Sequence, residues 1–152
     1  MSEIQTEFLF NLQLEIGSRH NVGVTPFGHR AISHVTGGRF EGPQLQGTVL
    51  PGSGDWPLFS ADGGIRIDAR VTLRTHDSEF IYMTYQGLRS APPEIIERLR
   101  RNEPVDPSLY YLRIAPMFEA AAAQYRWLNY VLAVGTGRRV PEGLAYVVHR
   151  VL

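Results

Sequence analysis

Residues 64–87 read GIRIDARVTLRTHDSEFIYMTYQG, and the alternation within them decides the fold class. Ile65, Ile67, Ala69, Val71 and Leu73 take every second position, with Arg66, Asp68, Arg70, Thr72 and Arg74 between them. A period of two puts the apolar set on one face of a strand and the polar set on the other. The polar link His76-Asp77-Ser78 then leads into Glu79–Tyr85, so the stretch predicts a β-hairpin.

The same period recurs outward in both directions. Upstream, Phe8, Phe10, Leu12, Leu14 and Ile16 share one face of a strand over Thr6–Ile16, and punctuation follows at Gly17-Ser18 and Val24–Gly28. A strand over His29–Thr36 is expected to stop at Gly37-Gly38, and one over Leu45–Leu50 to end in PGSGDWP. Downstream, Pro92 and Pro93 suit the first turn of a helix, Glu94 suits its N-terminus, and Ile95, Ile96 and Leu99 give it an apolar stripe that fails before Pro104. Leu109–Ile114, Trp127–Val134 and Leu144–Val151 are further strand candidates, and the alanines of Met117–Ala123 favour a helical turn or two. No long helices alternate with strands, which argues against parallel crossover units. The expected fold is all-β and mainly antiparallel: a closed eight- to nine-stranded barrel with one or two short helices, in a single domain over residues 1–152.

Composition removes several chemistries. The 152 residues contain no cysteine, and all 15 cationic residues are arginine. Disulfides, thiolate ligands, thiol nucleophiles, Schiff-base lysines and P-loop lysines are therefore excluded. With 15 anionic residues the net charge is zero, so nucleic acid and anionic lipid exert no bulk pull on the chain. MSEIQTEF lacks the basic and apolar regions of a signal peptide, and no apolar run approaches the roughly 18 residues of a membrane helix. A cytoplasmic protein without membrane contact is the expectation. The five histidines lack the close spacing of a metal site, G-x-S-x-G is absent, and Gly135 and Gly137 lack a dinucleotide fingerprint. No metal or cofactor is expected.

Four segments carry a family resemblance: GGRFEGPQLQGTVLPGSGDW (37–56), DGGIRIDARVTLRT (62–75), IYMTYQG (81–87) and YRWLN (125–129). In this order they resemble the DUF3237 (UPF0311) family of small, mostly bacterial proteins. The resemblance spans nearly the whole chain and implies a compact antiparallel β-barrel that often dimerises. It carries over no catalytic set.

Candidate residues come from strand faces and turns. Asp68 and Arg70 share a face about 6.5 Å apart; that face is either a solvated exterior or part of a polar lumen, and the IDAR motif draws attention to this pair. Asp55 and Trp56, in the turn at residues 52–57, either hold the turn as an Asx motif and a plug or stand at a barrel mouth. Tyr82 shares a face with Thr84, Tyr111 with Arg113, and Trp127 with Asn129; Asn129 serves either a ligand or a turn. His34, on a face with Arg30 and Ile32, is a structural histidine or a lumen residue. The catalytic candidates are thus Asp68, Asp55, Tyr82 and Tyr111, and the ligand-binding candidates are Arg70, Arg113, Asn129, Trp127, Trp56 and His34. Asp68, Arg70, Tyr111 and Asn129 are expected to converge on one cavity.

With thiol, lysine and nucleotide chemistry gone, what remains is Asp, Tyr, His and Arg. These suit a cofactor-independent acid–base enzyme, an isomerase, cyclase or lyase, acting on a small, partly apolar organic molecule. The alternatives are a lipocalin-like carrier of a small hydrophobic ligand and a structural dimer with a solid barrel. The expected partners are a small-molecule ligand and a second copy of the chain.

Overall fold

The computed structural model describes residues 2–152. Ten strands form one antiparallel sheet: β1 (Thr6–Thr25), β2 (Gly28–Glu41), β3 (Gln46–Val49), β4 (Ser53–Asp55), β5 (Leu58–Phe59), β6 (Ile65–Thr75), β7 (Phe80–Ser90), β8 (Tyr111–Ala120), β9 (Ala133–Val140) and β10 (Gly143–Val151). The ladder runs β1-β10-β9-β8-β7-β6, and β1 also pairs with β2. The short β3, β4 and β5 each pair with both β2 and β6. They share one position, between β6 and β2, of an eight-position ring that returns on itself and so protects its edges. Among the described residues, no helix is long and apolar enough to cross a membrane.

The inward faces follow the sequence period. From β6, Ile67, Ala69, Val71 and Leu73 are buried while Arg66, Asp68, Arg70 and Arg74 are exposed. Phe10 sits edge-to-face with both Phe40 and Phe118, and with Leu73, Ile81 and Met83 these rings fill the lower barrel. All six side chains are buried.

Four expectations are corrected. Phe8 does not join Phe10 inside: a bulge between them brings Leu9 into the core and leaves Phe8 37% exposed against His149. Gly17-Ser18 and Gly37-Gly38 do not end their strands, because β1 and β2 pair through them with irregular register. Gly38 has φ +144°, and a Cβ there would stand 2.0 Å from the Gln13 carbonyl oxygen; glycine is required because two backbones touch. Trp127–Val134 is no single strand, since Ala123–Tyr130 is a 3-10 segment and β9 begins only at Ala133. The helical turn expected at Met117–Ala123 is instead the end of β8, with Phe118 buried.

Each barrel end has its own cover. The lower end is closed by the 3-10 segment, which buries Tyr125 and Leu128. It is held by Asp77 in the β6–β7 turn, which accepts from Tyr125 Oη (2.7 Å) and Gln124 Nε2 (3.0 Å). At the upper end lies α1 (Pro93–Arg100), the expected helix, burying Ile95, Ile96 and Leu99. Gly63 packs so closely on Ile96 that an added Cβ would meet Cγ2 at 2.7 Å.

Candidate functional site

The upper end of the barrel is built differently from the lower. Above the apolar layers, β7 turns Tyr85 inward and β10 turns Tyr146 inward, their rings 5.7 Å apart and edge-to-face. β4 places Asp55 above them, 8% exposed. The rim adds Arg89 from the end of β7 and Arg139 from β9. A cavity of about 320 Å³ opens here, lined by Asp55, Arg89, Arg139 and Glu142 together with apolar residues that include Ile67 and Leu112.

Strand geometry explains why these side chains meet. Along β7, Ile81, Met83, Tyr85 and Arg89 share one parity and rise from core to mouth. Gly137, opposite Tyr146 in the β9–β10 ladder, leaves room for the ring: a Cβ at 137 would lie 2.5 Å from Tyr146 Cε1 and 2.7 Å from Leu112 Cγ. Asp55 pairs with Ser33 of β2 and Ala69 of β6, so its backbone is fixed from both sides.

Burial sets the electrostatics. Desolvation raises the Asp55 carboxyl to about 6, against the lowering effect of the Asp68 backbone N–H and the more distant Arg19 cation; the N–H contact is 3.4 Å. Desolvation also raises Tyr85 and Tyr146, and a negative Asp55 raises both further. The tyrosines stay protonated while the carboxyl titrates near neutrality. The Tyr146 hydroxyl is buried without a hydrogen-bond partner among the described residues, leaving a donor unused beside the carboxyl. Arg89 is drawn down to about 10 by burial and by the Arg139, Arg100 and Arg19 cations, and it remains charged at neutral pH.

A larger hollow, about 550 Å³, lies on the outside of the sheet between Trp56, Asp68, Gln86, Leu88, Tyr111 and Arg113. It is a groove of exposed side chains, with Leu88 and Tyr111 each half exposed. The smaller cavity holds the carboxyl raised by burial, and a shifted carboxyl in a cleft is a candidate for proton transfer.

The expected convergence of Asp68, Arg70, Tyr111 and Asn129 does not occur. Asp68 and Tyr111 meet in the outer groove with Trp56 and Arg113, and the Arg113 guanidinium stacks 4.8 Å from the Tyr111 ring centroid. Arg70 points outward, 5.8 Å from the Trp56 ring. Asn129 ties down a turn: its Nδ2 donates to the Ala120 and Arg126 carbonyls, and its Oδ1 accepts from the Ala120 N–H. Trp127 packs at the lower end beneath Arg150, and Tyr82 is 41% exposed on the outer face. His34 does not reach the lumen; it is exposed and sits edge-to-face with His20 at 5.0 Å. Of the sequence candidates, only Asp55 lines the barrel mouth. Tyr85, Tyr146 and Arg89 were not singled out by sequence, although the inward parity of Ile81 and Met83 extends to Tyr85 and Arg89.

Residues 4–151 match the family model described as "Protein of unknown function (DUF3237)". The chain belongs to the DUF3237 family. UPF0311 protein RPA1785 of Rhodopseudomonas palustris is 32% identical over 149 residues, covering 98% of this chain and 97% of the relative. Its crystal structure superposes with a TM-score of 0.94, at 31% identity and full coverage of both chains. A beta-barrel like protein of Acinetobacter baumannii AYE gives a TM-score of 0.88 at 32% identity, covering 100% of this chain and 98% of that one. A further relative is the hydroalkoxylation enzyme phnH of Penicillium herquei, 30% identical over 136 residues, which are 90% of this chain and 76% of that protein.

Proposed function

We propose that this DUF3237 protein is a cofactor-independent acid–base enzyme whose catalytic carboxyl is Asp55 at the upper barrel mouth. The carrying observation is the position of that carboxyl: 8% exposed, raised to about 6 by burial, and lining the cavity at the barrel mouth. A group titrating near the working pH holds and accepts a proton with comparable ease, which is what general acid–base catalysis requires.

Similarity to a hydroalkoxylation enzyme supports a reaction of that kind: addition of an O–H across a carbon–carbon double bond, or its reverse. Neutral Asp55 delivers its proton to one alkene carbon as the π bond opens. The substrate oxygen bonds to the other carbon, and its proton returns to the Asp55 carboxylate. One C–H and one C–O bond form, one O–H and one π bond are lost, and no oxidant or reductant is needed. Protonated Tyr85 and Tyr146 supply dipoles beneath the carboxyl and leave the proton inventory to Asp55. The buried rings and aliphatic side chains that occupy the lower lumen argue against the carrier alternative, which needs an apolar cavity there.

The test is ortho-prenylphenol incubated with the protein in D₂O and followed by proton NMR. The expected result is loss of the vinyl signal and one deuterium at the new C–H carbon, both abolished in Asp55→Asn. Conversion that survives Asp55→Asn would assign the proton to another group, and no conversion would remove this substrate type.

A further inference from the structure

We infer that the substrate of this mouth is a small organic acid whose carboxylate is held by Arg89, with its apolar body against Ile67, Leu112 and Leu144. The inference takes from the proposed function only the location of the site. Its starting point is an unused cation. Among the described residues, Arg89 makes one side-chain hydrogen bond, from Nη2 to the Gly63 carbonyl at 3.3 Å. Its Nε is buried with no partner, and no carboxylate lies within ion-pair distance.

The other arginine lining the cavity is engaged. Arg139, on the same rim, donates from Nη1 to the Leu99 carbonyl (2.9 Å) and from Nη2 to Asn102 Oδ1 (2.8 Å). Arg89 therefore stands beside a second fixed cation without a counter-ion of its own. The two carboxylates that line the cavity do not fill that role: Asp55 lies two strands away on β4, and Glu142 accepts from Gln13 Nε2 at 3.3 Å.

A half-buried guanidinium with open donors, flanked by another cation, fits a planar carboxylate better than a neutral polar group. The remaining lining is mostly apolar, so the acid must carry an apolar body. At about 320 Å³, the cavity is at the small end of ligand pockets, which run roughly 300–1,000 Å³; a one- or two-ring acid suits it. An anion at Arg89 and the proton-transfer group at Asp55 would then line the same cavity.

The experiment compares 1-naphthoate with its neutral counterpart 1-naphthalenemethanol at pH 7.5, by calorimetric titration and by amide chemical shifts. The acid is expected to bind about tenfold tighter or more, the scale of one hydrogen bond to a charged group. Its shifts should centre on Gly63, Arg89, Gly143 and Leu144. Arg89→Met should abolish the preference, whereas Asp55→Asn should keep or increase it. Equal binding of the two probes, no binding of the acid at millimolar concentration, or shifts centred on Gln86 and Arg113 in the outer groove would overturn the inference. The wild-type comparison decides the matter even if Arg89→Met fails to fold. Because the readout is binding, the preference holds or fails independently of whether Asp55 transfers a proton.

Discussion

Replacing Asp55 with asparagine should stabilise the protein at neutral pH while removing its proposed chemistry. The carboxyl titrates at about 6 in the fold against 3.8 unperturbed. A raised pKa means that the folded state binds the proton more tightly between those values. Stability therefore falls as pH rises from about 4 to about 6 and is level above. The difference, 6 − 3.8 or 2.2 units at 1.36 kcal/mol each, gives about 3 kcal/mol as an upper bound. Asparagine carries no charge into the site, and its Oδ1 can still accept from the Asp68 N–H. The variant should exceed the wild type by up to about 3 kcal/mol at pH 7.5, roughly 6–12 °C in Tm for a chain of this size. The gap should close near pH 4. Urea titrations followed by the fluorescence of Trp56 and Trp127, at several pH values between 4 and 7.5, measure it directly. All other carboxyls are common to both proteins, so the difference isolates Asp55. A gap independent of pH, or a wild type more stable at pH 7.5, would refute the buried-charge reasoning.

Two further substitutions test the ends of the barrel. Asp77→Asn should lower the Tm at pH 7, because the Thr75, Tyr125 and Gln124 hydrogen bonds hold the Asp77 carboxylate below its usual 3.8. That stabilisation is present above 3.8 and lost as pH falls below it, so wild-type and variant melting curves should converge in acid. Gly137→Ala should cost roughly 1–3 kcal/mol by overpacking, since its Cβ would strike the Tyr146 ring and Leu112. Chemical denaturation reads that cost, and an unchanged midpoint would mean that the ring moves aside freely.

Much of the fold was legible because one face of each long strand is apolar and the other wet. The Ile65–Leu73 alternation, the β6–β7 hairpin and the helix at Pro93–Arg100 all follow from local pattern. Glycine misled where it serves contact between backbones: Gly38 lies inside β2, where two strands approach too closely for a Cβ, yet a Gly-Gly pair reads as a stop. The 3-10 segment over residues 123–130 misled because its apolar residues Tyr125 and Leu128 carry no strand or α-helical period distinctive enough to place them.

The site was half legible for a related reason. Asp55 stood out through its turn, but the other polar candidates were sought on polar faces, which point outward. The interior polar groups sit within apolar parity instead: Tyr85 and Arg89 continue the series of Ile81 and Met83, and Tyr146 lies between Leu144 and Val148. A polar residue in step with a buried series was the available signal. Which polar residue gains a shifted pKa depends on the closure of the ring, a contact between distant strands that no local pattern encodes.

The account turns on one carboxyl, and carbon-detected NMR of the aspartate side chains observes it directly. Titrated from pH 3 to 9, with Asp55→Asn supplying the assignment, the Asp55 carboxyl carbon should show a midpoint at about 6. A midpoint near 4 would make Asp55 an ordinary solvated carboxylate and leave the barrel mouth without its acid–base group.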